Sequence, residues 1–369
     1  MTCRERIRTI LRGGIPDRIG IVEGFWWDTI ARWQTEGMPK HVTPQEYFGL
    51  DWDHIALDTS FQTEEALIEE TEEYVVRRDL NGVVARFWKE RTSTPEFLEF
   101  PIKSKRDWER LKKRMVANHA RFSVSEFFAF VATYSPQREP WQETVRLFNE
   151  MYGRQRYTLV FFYFPFESTW RKTGHELLLT AMAEDPAWAE EMFSTTADLT
   201  IDSLQLMIDG EVKPDGIFPN DDIAYRNGLL FSPTLHGKLI FPHVKRICQF
   251  ARSNGMDVIQ HSCGDIREAI PMLIEAGVQC LQPLECKAGM DVRQLKRQYG
   301  KDIAFMGNID VRKMEHFDEA EMEEEISSKV TVAKEGGGYV FQSDHSVPAT
   351  VSLSNYKRTL EIALKHAWY

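Results

Sequence analysis

The sequence predicts an α/β protein, a single (β/α)8 barrel of the TIM type with a helical and β-hairpin insertion. From residue 157 onward, strand-like and helix-like patterns alternate, and about seven strands are clear in the whole chain. Strands that alternate with helices at this spacing form βαβ units and a parallel sheet. The first strand is followed by "EGFWWD" instead of a glycine-rich phosphate loop. This favours a closed barrel over an open dinucleotide-binding sheet.

The predicted elements follow one another in a regular order. Strands are predicted at 18–24, 53–59, 157–165, 214–220, 257–263, 278–284, 303–309 and 338–344. Helices are predicted at 175–209, 232–255, 265–277, 291–300, 318–335 and 353–367. The helix at 232–255 has the clearest boundaries, because Ser232 is a preferred N-cap, Pro233 suits the first helical position, and Gly255 suits the C-terminal end. The strand at 53–59 is the eighth strand that a closed barrel needs.

Residues 60–150 interrupt this alternation. The segment "EYVVRRDLNGVVARFW" predicts a β-hairpin with Asn81 and Gly82 at its turn. The stretch from "SKRDWERLKKRM" to about residue 155 is charged and has a helical pattern. We therefore expect 60–150 to be an insertion or lid beside the barrel mouth, within one domain that spans residues 1–369.

Composition excludes several function classes. The net charge of -11 argues against nucleic-acid binding, which needs a basic face. The longest apolar run, 158–166, is far too short to cross a bilayer, and the N-terminus lacks the apolar core of a secretory signal. The 5 cysteines follow no disulfide pattern, which is typical of a reduced compartment. The sequence thus predicts a cytoplasmic protein that binds a small molecule and neither nucleic acid nor membrane.

The predicted strand ends carry many polar residues, which a parallel barrel gathers on one face. From them we predict three catalytic residues, namely Asp222, Glu167 and Glu285. Four substrate-binding residues are also predicted, namely Trp26, Asn220, Asn308 and Asp310. Asp221 and Asp222 are adjacent, so only one of them can face the pocket from an extended chain. For Trp26 and its neighbour Trp27, packing in the core is the competing interpretation.

The segment "IQHSCGDI" (259–266) places His261 and Cys263 two positions apart at a strand end. On a strand, such residues point to the same side, and imidazole and thiolate together suit zinc. A catalytic zinc has three protein ligands and one open position. Candidates for the third ligand are His345, Asp344, Cys286 and Glu285. The alternative interpretation is a polar strand end with a buried thiol. Cys3, Cys248 and Cys280 are expected to be structural.

Several long segments resemble the uroporphyrinogen decarboxylase superfamily, which is built on a (β/α)8 barrel. They are "RERIRTILRGGIPDRIGI", "NDDIAYRNGLLFSPTLHGKLIFPHVKRI", "HSCGDIREAIPMLIEAGVQCLQPLECKAGMDVRQLKRQYGKDIAFMGNIDVRKM" and "GGYVFQSDHSVPATVSLSNY". True decarboxylases carry an arginine-rich signature after the first strand, which grips the substrate's carboxylates. Here that place reads "EGFWWDTIARWQTEG", where Arg32 is the only arginine. We therefore expect the chain to bind uroporphyrinogen poorly and not to convert it at a useful rate.

The chain more closely resembles the cobalamin-dependent methyltransferases of this superfamily, which hold zinc with one His and two Cys. His261 and Cys263 match the first two ligands, and His345 stands where the second Cys would be. This resemblance implies a zinc-activated methyltransferase or demethylase, a small methylated substrate and a corrinoid on a separate partner protein. Asp344 competes with His345 for the third position, since adjacent residues of an extended chain face opposite ways.

Two other hypotheses remain open. The first is a metal-independent, decarboxylase-like enzyme that acts on a smaller acid, with Asp222 as its central polar group. The second is a non-enzymatic protein that binds a corrinoid or a porphyrin.

Overall fold

The structure, a computed structural model, describes residues 1–90, 93–124 and 140–369. Within these ranges the main sheet has nine strands, of which eight run parallel and curl into a barrel. The barrel strands are β1 (Gly20–Ile21), β2 (Trp52–Leu57), β3 (Tyr157–Tyr163), β4 (Gly216–Asn220), β5 (Asp257–His261), β6 (Cys280–Gln282), β7 (Ala304–Met306) and β8 (Tyr339–Phe341). Each strand from β2 to β7 pairs with the next one along the chain, and β8 pairs with β1.

Asp51 joins β1 to β2 and so closes the barrel. Its N–H donates to the C=O of Ile21 at 2.8 Å, and its carboxylate accepts the N–H of Ile21 at 2.7 Å. Nearer the carboxyl end of β2, the short strand Phe122–Val124 pairs with it in antiparallel orientation. The predicted barrel is confirmed, and a strand is found at each of the eight predicted places.

Helices follow the strands and cover the outside of the barrel. The α-helices are Cys3–Leu11, Trp27–Thr35, Pro44–Phe48, Lys105–Leu111, Trp141–Gly153, Pro165–Thr173, His175–Glu184, Pro186–Asp209, Pro233–Leu235, Phe241–Ser253, Ile270–Ala276, Val292–Tyr299, Val311–Glu315, Glu319–Ala333 and Leu353–His366. A π-helical turn, His236–Ile240, joins two of them into the long helix that the sequence predicts, and Ser232 caps it by accepting the N–H of Leu235 at 3.2 Å. The helix predicted at 175–209 is instead two helices, because the chain breaks at Pro186, which cannot donate a backbone hydrogen bond.

The N-terminal helix, Cys3–Leu11, closes the amino end of the barrel. Its Ile7 and Ile10 belong to the same apolar cluster as side chains from inside the barrel. Arg4 pairs with Asp215 at 2.9 Å, and Arg6 pairs with Asp51 at 2.8 Å. These aspartates directly precede β4 and β2, so the ion pairs fix the helix to the starts of the strands. The carboxyl ends of the strands lie at the opposite face, where barrel proteins place their active sites.

The segment between β2 and β3 contains a small antiparallel sheet. Its strands are Ala66–Glu70, Tyr74–Arg78, Val84–Trp88 and Glu96–Glu99. The predicted hairpin is confirmed: its turn lies between the second and third of these strands, and Gly82 there has φ +86°, a conformation that favours glycine.

The helical pattern predicted from residue 104 to about 155 is only partly confirmed. Lys105–Leu111 and Trp141–Gly153 are helices, whereas Phe122–Val124 is a strand; residues 125–139 lie outside the described part of the chain. That 60–150 forms a single insertion stays a prediction. Among the described residues, no helix is long and apolar enough to cross a membrane.

Candidate metal centre and active site

Four side chains occupy one level at the carboxyl ends of adjacent strands. The strand registers pair Tyr163 with Asn220, Asn220 with His261, and His261 with Gln282. Residues in register on parallel strands share one face of the sheet, so these side chains all face the barrel interior. Asn220 and His261 are only 2 % and 3 % exposed. The parallel strands thus bring together residues that are far apart in the sequence.

A pocket includes part of this level and opens at the barrel mouth. It measures about 380 Å³ when the space that opens to solvent is included. Its polar lining comes from Glu23, His261, Cys263, Gln282, Gln342, His345 and Ser346. Trp52 and Phe218 line its apolar part, and their rings lie 5.1 Å apart.

Three possible metal ligands converge at one side of this pocket. Nε2 of His261 lies 3.5 Å from Sγ of Cys263 and 3.4 Å from Oδ1 of Asp222. All three ligand atoms lie within 4.8 Å of one another. A tetrahedral zinc with bonds of about 2.0 to 2.3 Å spaces its ligands roughly 3.3 to 3.8 Å apart. The set of one nitrogen, one sulfur and one oxygen atom therefore fits zinc after small side-chain movements.

Hydrogen bonds orient the imidazole of His261 for this role. Nδ1 of His261 contacts Oε1 of Gln282, so Nδ1 carries the hydrogen and Nε2 is directed at Cys263 and Asp222. A polar partner on the second ring nitrogen is typical of metal-binding histidines. Burial opposes ionisation of His261, but the hydrogen bond and the charge of Asp222 outweigh it and raise the pKa of the imidazole.

Asp222 is held in place by two neighbouring chain segments. Its Oδ1 accepts the N–H of Cys263 at 2.8 Å, and its own N–H donates to Oε2 of Glu167 at 2.9 Å. Burial raises the pKa of Asp222, but the hydrogen bond and charge of His261 outweigh it, so the pKa lies below its usual value. Burial raises the pKa of the Cys263 thiol well above its usual value, and the Asp222 charge adds to this.

Glu167 contacts the backbone of Asp222, and Asp221 in turn contacts the backbone of Glu167. Oε1 of Glu167 pairs with Arg171 at 2.7 Å, and the N–H of Glu167 donates to Oδ1 of Asp221 at 2.8 Å. Both carboxyl groups are 1 % exposed, and burial raises both pKa values. Of the two adjacent aspartates, Asp222 thus faces His261 and Cys263, while Asp221 turns toward the helix Pro165–Thr173. Glu167, predicted to be catalytic, acts here on the backbone of Asp222.

The two candidates from the last strand end face different ways. Asp344 accepts the N–H groups of Cys286 and Val311, each at 2.9 Å, and is 4 % exposed. His345 lines the pocket, where its ring lies 6.0 Å from that of Trp26. The compact group of donor atoms nevertheless contains Asp222 and not His345. His345 as the third ligand stays a prediction, and the geometry favours Asp222.

Glu285 and Asn308 support loops at the barrel mouth. Oε2 of Glu285 accepts the N–H of Gly264 at 2.7 Å, just after Cys263. The Asn308 side chain donates to the C=O of Leu284 at 2.6 Å and accepts the N–H of Val292 at 2.9 Å. The structure therefore places neither side chain in the pocket lining, although the sequence assigned them to catalysis and substrate binding.

Asp310 and Cys286 also lie outside this lining. Asp310 caps the helix Val311–Glu315 by accepting the N–H of Arg312 at 3.0 Å. The thiol of Cys286 donates to a backbone C=O at 3.2 Å. Both are therefore engaged in local structure rather than directed at the donor cluster.

Glu23, Gln282 and Gln342 line the pocket, but the sequence assigned no role to them, although Glu23 was among the polar residues at the predicted strand ends. Glu23 ends up 1 % exposed, accepts the N–H of Gly24 at 3.1 Å and the hydroxyl of Ser343 at 2.7 Å, and burial raises its pKa to about 8. Gln282 and Gln342 line the pocket beside it. The sequence did contain a signal for the two glutamines. Side chains alternate along a strand, and both glutamines occupy inward positions at strand ends, as His261 does.

Comparisons with known proteins agree with this architecture. The profile of the uroporphyrinogen decarboxylase (URO-D) family matches residues 88–366. Among solved structures, a methyltransferase from Methanosarcina mazei superposes with a TM-score of 0.65 at 14% identity, over 99% of each chain. A structure of fungal β-1,4-galactanases has a TM-score of 0.34 at 12% identity, over 60% of this chain and 85% of that chain. No curated protein matches the sequence significantly. Since the family match covers well over half of the sequence, the chain belongs to the uroporphyrinogen decarboxylase family.

Proposed function

We propose that the protein is a zinc-dependent methyltransferase or demethylase, which moves a methyl group between a small methylated substrate and a corrinoid carried by a separate protein. The observation that carries this proposal is the group of donor atoms from His261, Cys263 and Asp222 at the barrel mouth. The overall likeness to a methyltransferase structure supports the same reaction class. The corrinoid partner is inferred from the resemblance of the sequence to cobalamin-dependent methyltransferases.

The donor atoms suit a catalytic zinc better than a structural one. Structural zinc sites are closed by four protein ligands, whereas catalytic sites keep one position for water or substrate. His261, Cys263 and Asp222 supply three ligands, and two of them also line the pocket. A bound zinc ion there would polarise the heteroatom of the substrate and lower its affinity for a proton. His345, which lines the same pocket, is the alternative third ligand in this proposal.

Residues around the ligands prepare the site. Gln282 holds the imidazole of His261, and Glu167 holds the backbone of Asp222. The Cys263 thiol must lose its proton before it can bind metal, so metal binding releases a proton to solvent. Trp52 and Phe218 give the pocket an apolar wall that excludes water from a methyl group.

Decarboxylation of uroporphyrinogen is not supported by the pocket. Among the described residues that line it, none is lysine or arginine. Arg32, the only arginine in the segment 23–37 after the first strand, pairs with Glu36 and donates to the C=O of Ala349. Carboxylates are gripped most strongly by paired arginine contacts, which this pocket lacks.

Zinc titration into chelator-free protein at neutral pH tests the proposal. We expect one zinc ion per chain, and we expect a small thiol added with methylcobalamin to be methylated only by the zinc-loaded protein. Loss of the methylcobalamin absorbance measures the transfer of its methyl group to the thiol. Failure of the wild-type protein to bind zinc would overturn the proposal.

A metal-independent decarboxylase-like enzyme is the second candidate. It is favoured by the ion pair between His261 and Asp222, whose atoms lie 3.4 Å apart. Such a pair can donate a proton to the carbon that loses carbon dioxide. In this case activity on a small acid would persist in the presence of a strong chelator.

A further inference from the structure

A chain of hydrogen bonds runs from His261 through two buried glutamines. Nδ1 of His261 contacts Oε1 of Gln282, and Nε2 of Gln282 donates to Oε1 of Gln342 at 2.9 Å. Both glutamines are 4 % exposed, and both line the pocket. The three residues come from β5, from the end of β6, and from just beyond β8, so the chain crosses the barrel interior.

The direction of this chain follows from His261. Its Nε2 faces Asp222 and Cys263, so when Nε2 binds a metal the hydrogen of the ring stays on Nδ1, which then donates to Gln282. Gln282 must then present its oxygen to His261 and its amide nitrogen to Gln342. The oxygen of Gln342 is used as the acceptor, which leaves the amide NH2 of Gln342 for the pocket.

The surroundings of that NH2 group suit a hydrogen-bond acceptor. It lies 4.0 Å from the position that a Cβ on Gly24 would occupy, and because residue 24 is glycine no side chain fills that position. The carboxyl group of Glu23 lines the same pocket and, with its pKa of about 8, is mostly uncharged at neutral pH. An anionic group at this place would therefore meet the NH2 donor and would not be repelled by a charge on Glu23.

We propose that Gln282 and Gln342 form a directional relay, in which Gln282 positions His261 and Gln342 donates a hydrogen bond to an acceptor oxygen of the substrate. This inference rests on the proposed function. It narrows the substrate class to small molecules that carry a carboxylate or a similar oxygen acceptor near the heteroatom that binds the metal. Molecules with an ammonium group at that place would be rejected, because two donors would face each other.

Thiol binding to the Co²⁺-loaded protein tests the substrate part. The probes are mercaptoacetate and 3-mercaptopropionate, compared with 2-aminoethanethiol, and the readout is the cobalt absorption spectrum. We expect the carboxylate thiols to bind roughly tenfold more tightly, as one charge-assisted hydrogen bond provides. Gln342→Glu replaces the donor by an acceptor and should reverse this preference, while Gln342→Met should abolish it.

Chelator competition tests the positioning part. Gln282→Leu should weaken Co²⁺ binding by about 10- to 100-fold, as the loss of an outer partner of a ligand does. Gln260→Leu is the matched control: Gln260 is a buried glutamine next to His261 whose side-chain atoms contact no hydrogen-bond partner among the described residues, so Co²⁺ affinity should not change.

The outcomes separate this inference from the proposed function. If wild-type protein binds no Co²⁺ or Zn²⁺, both are overturned. If the metal binds but Gln342→Glu leaves the thiol preference unchanged, or Gln282→Leu leaves metal affinity unchanged, only the relay is overturned.

Discussion

The sulfur of Cys263 lies 3.5 Å from Nε2 of His261, although β5 already ends at His261. Spacing on a strand explains why the two side chains can share a side, but it does not hold Cys263 in place once the strand has ended. The bond from the N–H of Cys263 to Asp222, at 2.8 Å, does so. Asp222 thus contacts both residues and completes the donor cluster.

Cys263→Ala should remove most of the bound zinc. The substitution deletes one of three ligands and also the negative charge of the thiolate, which contributes most to zinc affinity in such a set. Cys280→Ala is the matched control, since Cys280 is fully buried inside the barrel and does not line the pocket. Metal analysis after dialysis against zinc checks this. Equal zinc content in both variants would contradict the proposed site.

Asp222→Asn and His345→Ala distinguish the third ligand. The geometry favours Asp222, so Asp222→Asn should weaken zinc binding by about 10- to 100-fold, and His345→Ala should have a smaller effect. Competition with a zinc-sensitive dye measures both constants. The reverse order would show that His345 moves to the metal, as the sequence predicts.

The third ligand illustrates what the sequence could not decide. The type of residue and its place at a strand end are visible in "NDDIAYRNG", and Asp222 was predicted to be catalytic. Which aspartate faces His261 depends on Glu167, whose carboxylate accepts the N–H of Asp222 and whose N–H donates to Asp221. This contact joins residues about 55 positions apart, so no local pattern reveals it.

Uroporphyrinogen should not be converted at a useful rate. Arg32 is engaged by Glu36 and by the C=O of Ala349, and no lysine or arginine is found among the described residues of the pocket lining. Chromatography of the porphyrins after incubation measures coproporphyrinogen formation, with an authentic decarboxylase as the positive control. Comparable product from both enzymes would mean that other residues grip the carboxylates.

Arg6→Met should destabilise the fold by about 3 kcal/mol, because it breaks a buried ion pair and leaves the fully buried Asp51 with one partner fewer. Arg358→Met is the control: Arg6 pairs with Asp51 and Asp17, and Arg358 likewise has two acidic partners, but the Arg358 side chain is 46% exposed, so the cost should stay below about 1 kcal/mol. Urea unfolding of both variants gives the free energies. Similar losses would show that the N-terminal helix does not depend on Arg6.

The barrel strands could be predicted because most are buried apolar runs between turn and cap residues. The small sheet after β2 shows the limit of this approach. Its strand Ala66–Glu70 exposes Leu67 and Ile68 by 58% and 54%, so it lacks the alternation that marks a half-buried strand. Its neighbours Tyr74–Arg78 and Val84–Trp88 were predicted, because the turn between them contains Asn81 and Gly82.

Glu23 makes the stability of the protein depend on pH. Burial raises its pKa from 4.5 to about 8, so the folded state favours the protonated form. The resulting stabilisation is fully present below pH 4.5 and is lost as the pH rises through 8.

Glu23→Gln should therefore remove part of this pH dependence. Glutamine keeps the shape and the acceptor oxygen for Ser343 but cannot ionise, so the variant avoids the cost of a buried charge at high pH. Between pH 5 and 9 the free energy of unfolding of the wild type should fall relative to that of Glu23→Gln, by an amount on the order of several kcal/mol. Glu335→Gln, at an exposed glutamate, should follow the wild type. Urea unfolding across this pH range measures the difference, and parallel curves for wild type and Glu23→Gln would show that Glu23 is ionised in the folded protein throughout.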